Sequence, residues 1–222
     1  MIPETNAASS PQTIADLIRE AATSLPQDCA RREAEMLMEH VLGVSRAWLL
    51  MHGSDPANAG LAESYRALVT RRLAGEPLAF IIGHIGFWSL TLKVTPDTLI
   101  PRVETELLVE AALARLPISE QWDVLDLGTG SGAIALALAS ERPKARVTAV
   151  DASASALAVA RQNAISNETP QVSFLHGDWF EPLTDMRFHL IATNPPYIAD
   201  DDPHLSQGDL RFEPVTALSS GK

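Results

Sequence analysis

The chain has a single cysteine, Cys29. One thiol cannot form an internal disulfide, so a stapled secreted scaffold is ruled out and a reducing compartment is expected. Cys29 itself reads as an inert thiol near a helix start. Basic residues are scarce too: 17 Lys and Arg face 28 Asp and Glu, a formal net charge of −11. Such a surface does not suit broad electrostatic binding to DNA or RNA, which needs cations to displace counterions. It remains compatible with a local basic patch or a protein partner. Long apolar runs are missing as well. The longest, "AIALALA" at 133–139, falls far short of the roughly 20 residues of a membrane-spanning helix. The first basic residue is Arg19, so no signal-like segment opens the chain. A soluble, cytoplasmic monomer is expected, with no membrane partner, no direct DNA binding and no metal.

What is present suffices for an α/β domain with a small accessory domain: 222 residues, 46% of them hydrophobic. Residues 1–12 are small and polar and should fray. From Thr13 to Leu25 the apolar residues recur at helical spacing, and Thr13 with Asp16 forms a capping box. A second helix should start near Asp28 and stop at Gly43. A short one is expected over 45–51 and a longer one over 58–74, ending before Gly75. Four helices with short connections predict a small bundle.

The pattern then changes. "GFWSLTLKVT" (86–95) alternates and predicts a hairpin. "ETELLVEAALARL" (104–116) is helical up to Pro117. Beyond 122, strands and helices alternate: "WDVLDLG", "GAIALALASE", "ARVTAVD", "ASALAVARQNA", "QVSFLHGD" and "FHLIATN". That alternation predicts a doubly wound parallel sheet.

The ends of these strands carry the chemistry. "DLGTGSGA" places Gly128, Gly130 and Gly132, with Thr129 and Ser131 between them, after a strand and before a helix. Glycine permits the tight turn and the close approach of a ligand to the backbone. Alone, this signal also fits a dinucleotide fold. Asp151 ends the next strand, where a carboxylate can accept both hydroxyls of a ribose. The third ends in Asp178 and Trp179, an acceptor for an exocyclic amine and a ring to stack on a base. Three such ends favour an adenosine cofactor, leaving NAD and S-adenosylmethionine both open.

The fourth end, "ATNPPYI", distinguishes them. A conjugated amino group has a delocalised, weakly nucleophilic lone pair. Methylating it requires two acceptors that hold its N–H groups and aim the nitrogen at the methyl. The Asn194 side-chain oxygen is one acceptor and the Pro195 carbonyl the other. Pro195 and Pro196 stiffen the backbone by fixing φ near about −65°. Tyr197 can pack on the planar substrate group. Positioning of this kind can supply roughly 7–11 kcal/mol of the barrier.

With these residues the chain resembles the release factor glutamine N5-methyltransferases, over nearly its whole length from about residue 13. "NPPY" is shared with adenine-N6 DNA methyltransferases and other amide or amine methyltransferases. "GEPLAFIIGHIGFWSLTLKVTPDTLIPRVETE" (75–106) and "QGDLRFEPVTAL" (207–218) are the more specific parts. The resemblance implies a helical domain over 1–80 that recognises the peptide chain release factor, a hairpin linker over 81–101, and a class I, Rossmann-like methyltransferase domain over 102–222. It implies transfer of a methyl group from S-adenosylmethionine to the side-chain nitrogen of the glutamine in the factor's Gly-Gly-Gln loop. By motif, residues 128–132, Asp151, Asp178, Trp179 and Asn194 hold the cofactor. Asn194, Pro195, Pro196 and Tyr197 form the glutamine pocket, with Asn194, Pro195 and Tyr197 catalytic. Arg102 and Glu106 border the site. Val103 stands where the family has a second proline, and a local change in rigidity is expected.

Only four strands of the seven-stranded class I sheet are legible. The fifth would pair with the strand bearing Asn194, so an apolar open edge is expected there, with Lys222 not the end of a complete enzyme and activity in doubt. Three rival readings follow: an adenine-N6 DNA methyltransferase, disfavoured by the charge; a non-catalytic fragment that still docks on a release factor; and an NAD-dependent oxidoreductase, for which no hydride-transfer constellation is seen.

Overall fold

The structure, a computed structural model, describes residues 12–26 and 28–221. The tail expected over 1–12 lies, except for Gln12, outside the described residues, as does Lys222. The chain divides into two compact units, one up to Ile82 and one from Gly83.

The first unit holds α1 (Ile14–Ser24), α2 (Ala30–Leu42), α3 (Arg46–His52), α4 (Ala59–Leu73) and α5 (Leu78–Ile82). α1 begins with the expected capping box, Thr13 and Asp16 satisfying each other's backbone N–H groups. α2 stops at Gly43, which takes the left-handed conformation at φ 65°. The apolar faces of α1, α2 and α4 close on Leu17, Ala34, Leu37, Met38 and Tyr65, all buried. The Tyr65 hydroxyl donates to the Ala34 carbonyl at 3.0 Å, which offsets the cost of burying it. α5 is an addition to the sequence reading. The Pro77 carbonyl accepts from the N–H groups of Phe80 and Ile81, so the helix starts on a proline that needs no partner of its own.

The second unit opens with a hairpin, β1 (His84–Phe87) and β2 (Leu90–Lys93), paired antiparallel from His84–Lys93 to Phe87–Leu90. Its two-residue turn puts Trp88 at φ 56°, the backbone twist such hairpins require. Glu106 accepts from the Trp88 backbone N–H at 2.7 Å and Glu141 from its indole N–H at 2.8 Å. α6 (Thr105–Leu113) follows. It ends before the expected Leu116 because the backbone tightens, Arg115 and Leu116 donating to carbonyls three residues back. The Arg142 side chain caps the carbonyls of Leu113 and Leu116.

Then come β3 (Asp123–Leu127), α7 (Ala133–Glu141), β4 (Arg146–Asp151), α8 (Ala154–Ser166), β5 (Val172–His176), β6 (Leu190–Thr193) and the short α9 (Val215–Leu218). The sheet order is β5-β4-β3-β6, all neighbours parallel, with β6 at one edge among the described strands. This is the strand order of a doubly wound fold: the chain steps outward from β3 through β4 to β5, then crosses back to add β6 on the other side of β3. The core lies between this sheet and α6 and α7, with Val109, Val124, Leu136, Leu138 and Val147 essentially inaccessible. The hairpin is bonded to α8: Asn163 and Asn167 exchange side-chain hydrogen bonds with the backbones of Lys93 and Thr91. Among the described residues no helix is long and apolar enough to cross a membrane.

Candidate active site

Register determines which residues meet. Leu127 pairs with Val150 on one side and Thr193 on the other, and Asp151 pairs with His176. The residues that follow therefore leave the sheet along one rim: Gly128, Asp151, Gly177 and Asn194. The rim is bonded together. Gly128 and Thr129 donate to the Val150 carbonyl, Gly177 donates to that of Asp151, and the Thr193 hydroxyl donates to that of Leu127 at 2.9 Å.

A cavity of about 460 Å³ opens on this rim. It is lined by Gly128, Gly130, Asp151, Asp178, Trp179, Asn194, Pro195 and Pro196, among others. Gly128 and Gly130 sit at φ 71° and 56°, and a Cβ on either would meet nothing within 4 Å. Bare backbone therefore faces the space, as close ligand approach requires. Gly132 differs. It initiates α7 at φ 89°, and a Cβ there would sit 3.1 Å from Leu136. Its requirement is helix packing, and it is not part of the cavity wall.

Asp151 does more than border the cavity. Its Oδ2 accepts from the Gly130 N–H at 2.7 Å and its Oδ1 from the Ser153 N–H at 2.9 Å. The carboxylate ties the glycine turn to the start of α8, whose N-cap is Ser153. Lone pairs remain for hydroxyl donors. Trp179 is half-exposed and adopts φ 46°, a conformation costly for a bulky residue.

Thr129 and Ser131 point inward and are buried. The Thr129 hydroxyl donates to Asp126 Oδ2 at 2.6 Å, and the Ala135 N–H donates to the same oxygen at 3.1 Å. Asp126 is fully buried and its Oδ1 has no partner among the described residues. Burial pushes its carboxyl up to about 6, against the opposing pull of these two donors.

A second cavity of about 230 Å³ is lined by Arg102, Glu104, Thr105, Leu108, Asn194 and Tyr197. Asn194 lines both cavities, Pro195 and Pro196 the larger and Tyr197 the smaller. Tyr197 is 76% exposed. Arg102 borders this site, whereas Glu106 lines neither cavity and is engaged by the hairpin turn.

Two segments and a buried carboxylate were not among the candidate site residues of the sequence reading. Asp97, Thr98 and Leu99 line the larger cavity from the loop after the hairpin, and Pro214, Thr216 and Ala217 from the segment around α9. Glu213, buried, joins the two by accepting from the Ile100 N–H and from Arg102. The segment also returns to the NPPY turn: Ile198 donates to Leu218, and Ser220 donates to Ile198. The only sequence signal was that both segments lay in the stretches of most specific resemblance, 75–106 and 207–218.

Two family models and the curated relatives together match nearly the whole chain. The family described as PrmC N-terminal domain matches residues 16–83, and the methyltransferase small domain matches 103–209. A release factor glutamine methyltransferase of Xylella fastidiosa (strain 9a5c) is 54% identical over 199 residues, covering 90% of this chain and 72% of its own. That of Escherichia coli (strain K12) is 50% identical over 202 residues, covering 90% and 73%. Among solved structures, the ribosomal protein L11 methylase of Lactobacillus delbrueckii subsp. bulgaricus aligns over 44% of this chain and 48% of its own, at 28% identity and TM-score 0.38. With half of its residues identical to those relatives over most of both lengths, the chain belongs to the release factor glutamine methyltransferases.

Proposed function

We propose that this protein transfers a methyl group from S-adenosylmethionine to the side-chain amide nitrogen of the glutamine in the Gly-Gly-Gln loop of peptide chain release factors. The single observation that carries this reading is the position of Asn194, which lines both cavities. One carboxamide at that wall can touch a donor on one side and an acceptor on the other.

The larger cavity fits the donor. Gly128 and Gly130 offer bare backbone, Asp151 a carboxylate for ribose hydroxyls, and Asp178 with Trp179 an acceptor and a ring for adenine. When bound, the donor supplies an electrophilic methyl on a sulfonium. The chain's own residues then orient the acceptor. The Asn194 side-chain oxygen would accept from one N–H of the glutamine amide and the carbonyl of the next residue, Pro195, which lines the larger cavity, from the other, with Tyr197 of the smaller cavity covering the plane. Held this way, the nitrogen keeps one approach direction. The proton leaves after transfer because the N-methylated amide cation is a strong acid. No strong base is needed at the site, so catalysis rests on positioning and on hydrogen bonds aimed at changing charge. The helical unit up to Ile82 would recognise the release factor, and the reaction would take place in the cytoplasm.

The test is mass spectrometry of a release factor incubated with this protein and S-adenosylmethionine. A gain of one methyl group in place of hydrogen on the loop glutamine is expected. An unmodified factor, or labelled methyl appearing in duplex DNA instead, refutes the reading.

A further inference from the structure

Glu213 and Asp126 are the buried acids of the unit that begins at Gly83. The Glu213 side chain is inaccessible. Its Oε1 accepts from Arg102 Nη2 at 2.5 Å and its Oε2 from the Ile100 N–H at 3.0 Å. A carboxylate this buried is tolerable only with charged and hydrogen-bonding partners, so the pair constrains Arg102 strongly. Arg102 in turn lines the smaller cavity beside Asn194 and Tyr197, together with Glu104.

The charges around that cavity can be added. Arg102 contributes +1, Glu213 behind it −1 and Glu104 −1, so the surroundings are net negative. Without Glu213, the guanidinium would present an unneutralised cation and an open fork of donors, the arrangement that captures carboxylates. With Glu213, one amino group of the same guanidinium is held and its charge is neutralised. We infer that Glu213 is a specificity-determining positioning residue: through Arg102 it makes the acceptor cavity admit an uncharged carboxamide and reject the corresponding carboxylate. The inference rests on the reading of this cavity as the acceptor's.

The test uses the full chain and two forms of a release factor, one with the loop glutamine and one with that glutamine replaced by glutamate. kcat and KM are measured for the first, and the inhibition constant is measured for the second. Wild-type protein should methylate the glutamine form and bind the glutamate form weakly. Glu213→Gln keeps an acceptor for the Ile100 N–H but removes the charge. It should tighten the glutamate form about tenfold relative to KM for the glutamine form, the size of one charge screened at short range. Arg102→Gln should move the same ratio the opposite way, and Glu213→Asp, which shortens the reach to Arg102, replaces Glu213→Gln with the same direction expected if that variant does not fold. A merely structural role lowers turnover without moving the ratio. Wild-type protein that fails to methylate the glutamine form overturns the functional reading. Active wild-type protein whose ratio is unmoved in both variants overturns only the role of Glu213.

Discussion

Gly132→Ala separates the structural glycine of the "GTGSG" turn from those that face the cavity. Gly132 sits at φ 89° and ψ 8°. An added Cβ would lie 3.1 Å from Leu136 Cδ1, 3.2 Å from Leu136 Cγ and 3.3 Å from Ala160 Cβ. Leu136 and Ala160 are both completely buried, so neither can swing into solvent. Two effects add. Left-handed backbone costs an L-residue about 1–2 kcal/mol, and forcing a methyl into a filled core costs about 1–3 kcal/mol. The sum, roughly 2–5 kcal/mol, is a large part of the 5–15 kcal/mol that keeps a typical domain folded. For a chain of this size it lowers the melting temperature by about 4–20 °C. Gly130→Ala is the comparison. At φ 56° with nothing within 4 Å of its Cβ, it bears only the backbone cost of about 1–2 kcal/mol. It lines the cavity, however, so it should weaken S-adenosylmethionine binding more than it weakens the fold. Thermal unfolding followed by circular dichroism, with calorimetric titration of the cofactor, gives both numbers for each variant. If Gly132→Ala melts no lower than Gly130→Ala, the division of labour between these glycines is wrong.

Asn194→Ala should lower kcat by roughly 10²–10³, the loss expected for one preorganised hydrogen-bonding group, and should weaken cofactor binding by a smaller factor; steady-state kinetics and cofactor titration check it, and near-normal turnover contradicts the positioning mechanism. Asp151→Ala removes the acceptor of the Gly130 and Ser153 N–H groups and should raise the dissociation constant for the cofactor by roughly 10–100-fold, the worth of one charged hydrogen bond. Asp126 has a native pKa of about 6 against 3.8 for the free group. Its neutral form therefore suits the fold, and the stability this confers, about 3 kcal/mol, is full below the lower value and lost as pH rises towards 6. Asp126→Asn should flatten that fall in urea midpoints between about pH 4 and 6, and an unchanged slope refutes the assignment.

Elements with a local signature were legible in the sequence. The capping box at Thr13 and the stop at Gly43 are written in adjacent residues, and each strand of the sheet is an apolar run flanked by turn residues. The candidate site was legible where one strand end carries its own residues: Gly128, Asp151, Trp179 and Asn194 all line the larger cavity. What escaped depends on distance along the chain. Glu213 and Arg102 are 111 residues apart, and nothing in either segment names its partner. The inward turn of Thr129 and Ser131 was hidden for another reason. Residues of a glycine-rich turn alternate between facing the ligand and facing the core, and only the Asp126 acceptor beneath Thr129 reveals which do which. Glu106 was misleading in the same way: its neighbours border the site, but its own carboxylate is taken by the Trp88 N–H.

The site depends on register more than on any one motif. Because Leu127 is level with both Val150 and Thr193, Gly128 leaves the sheet between Asp151 and Asn194. That brings the turn that would cradle the donor between the carboxylate that would grip its ribose and the amide that would hold the acceptor. A slip of β6 by one residue would turn Asn194 to the opposite face and break the arrangement. Edge strands are where such slips are easiest, and β6 is bonded in the sheet only to β3 among the described strands. Two features resist the slip. The Thr193 hydroxyl donates to the Leu127 carbonyl, bonding the ends of β3 and β6 directly. Beyond the prolines, Ile198 exchanges backbone hydrogen bonds with Leu218 and Ser220, so the NPPY turn is fixed at both ends. Pro195 and Pro196 need this help, since neither has an N–H with which to anchor itself. The rigidity that would position the acceptor amide thus comes from the strand before the turn and the segment after it, and the second of these is held in place by Glu213.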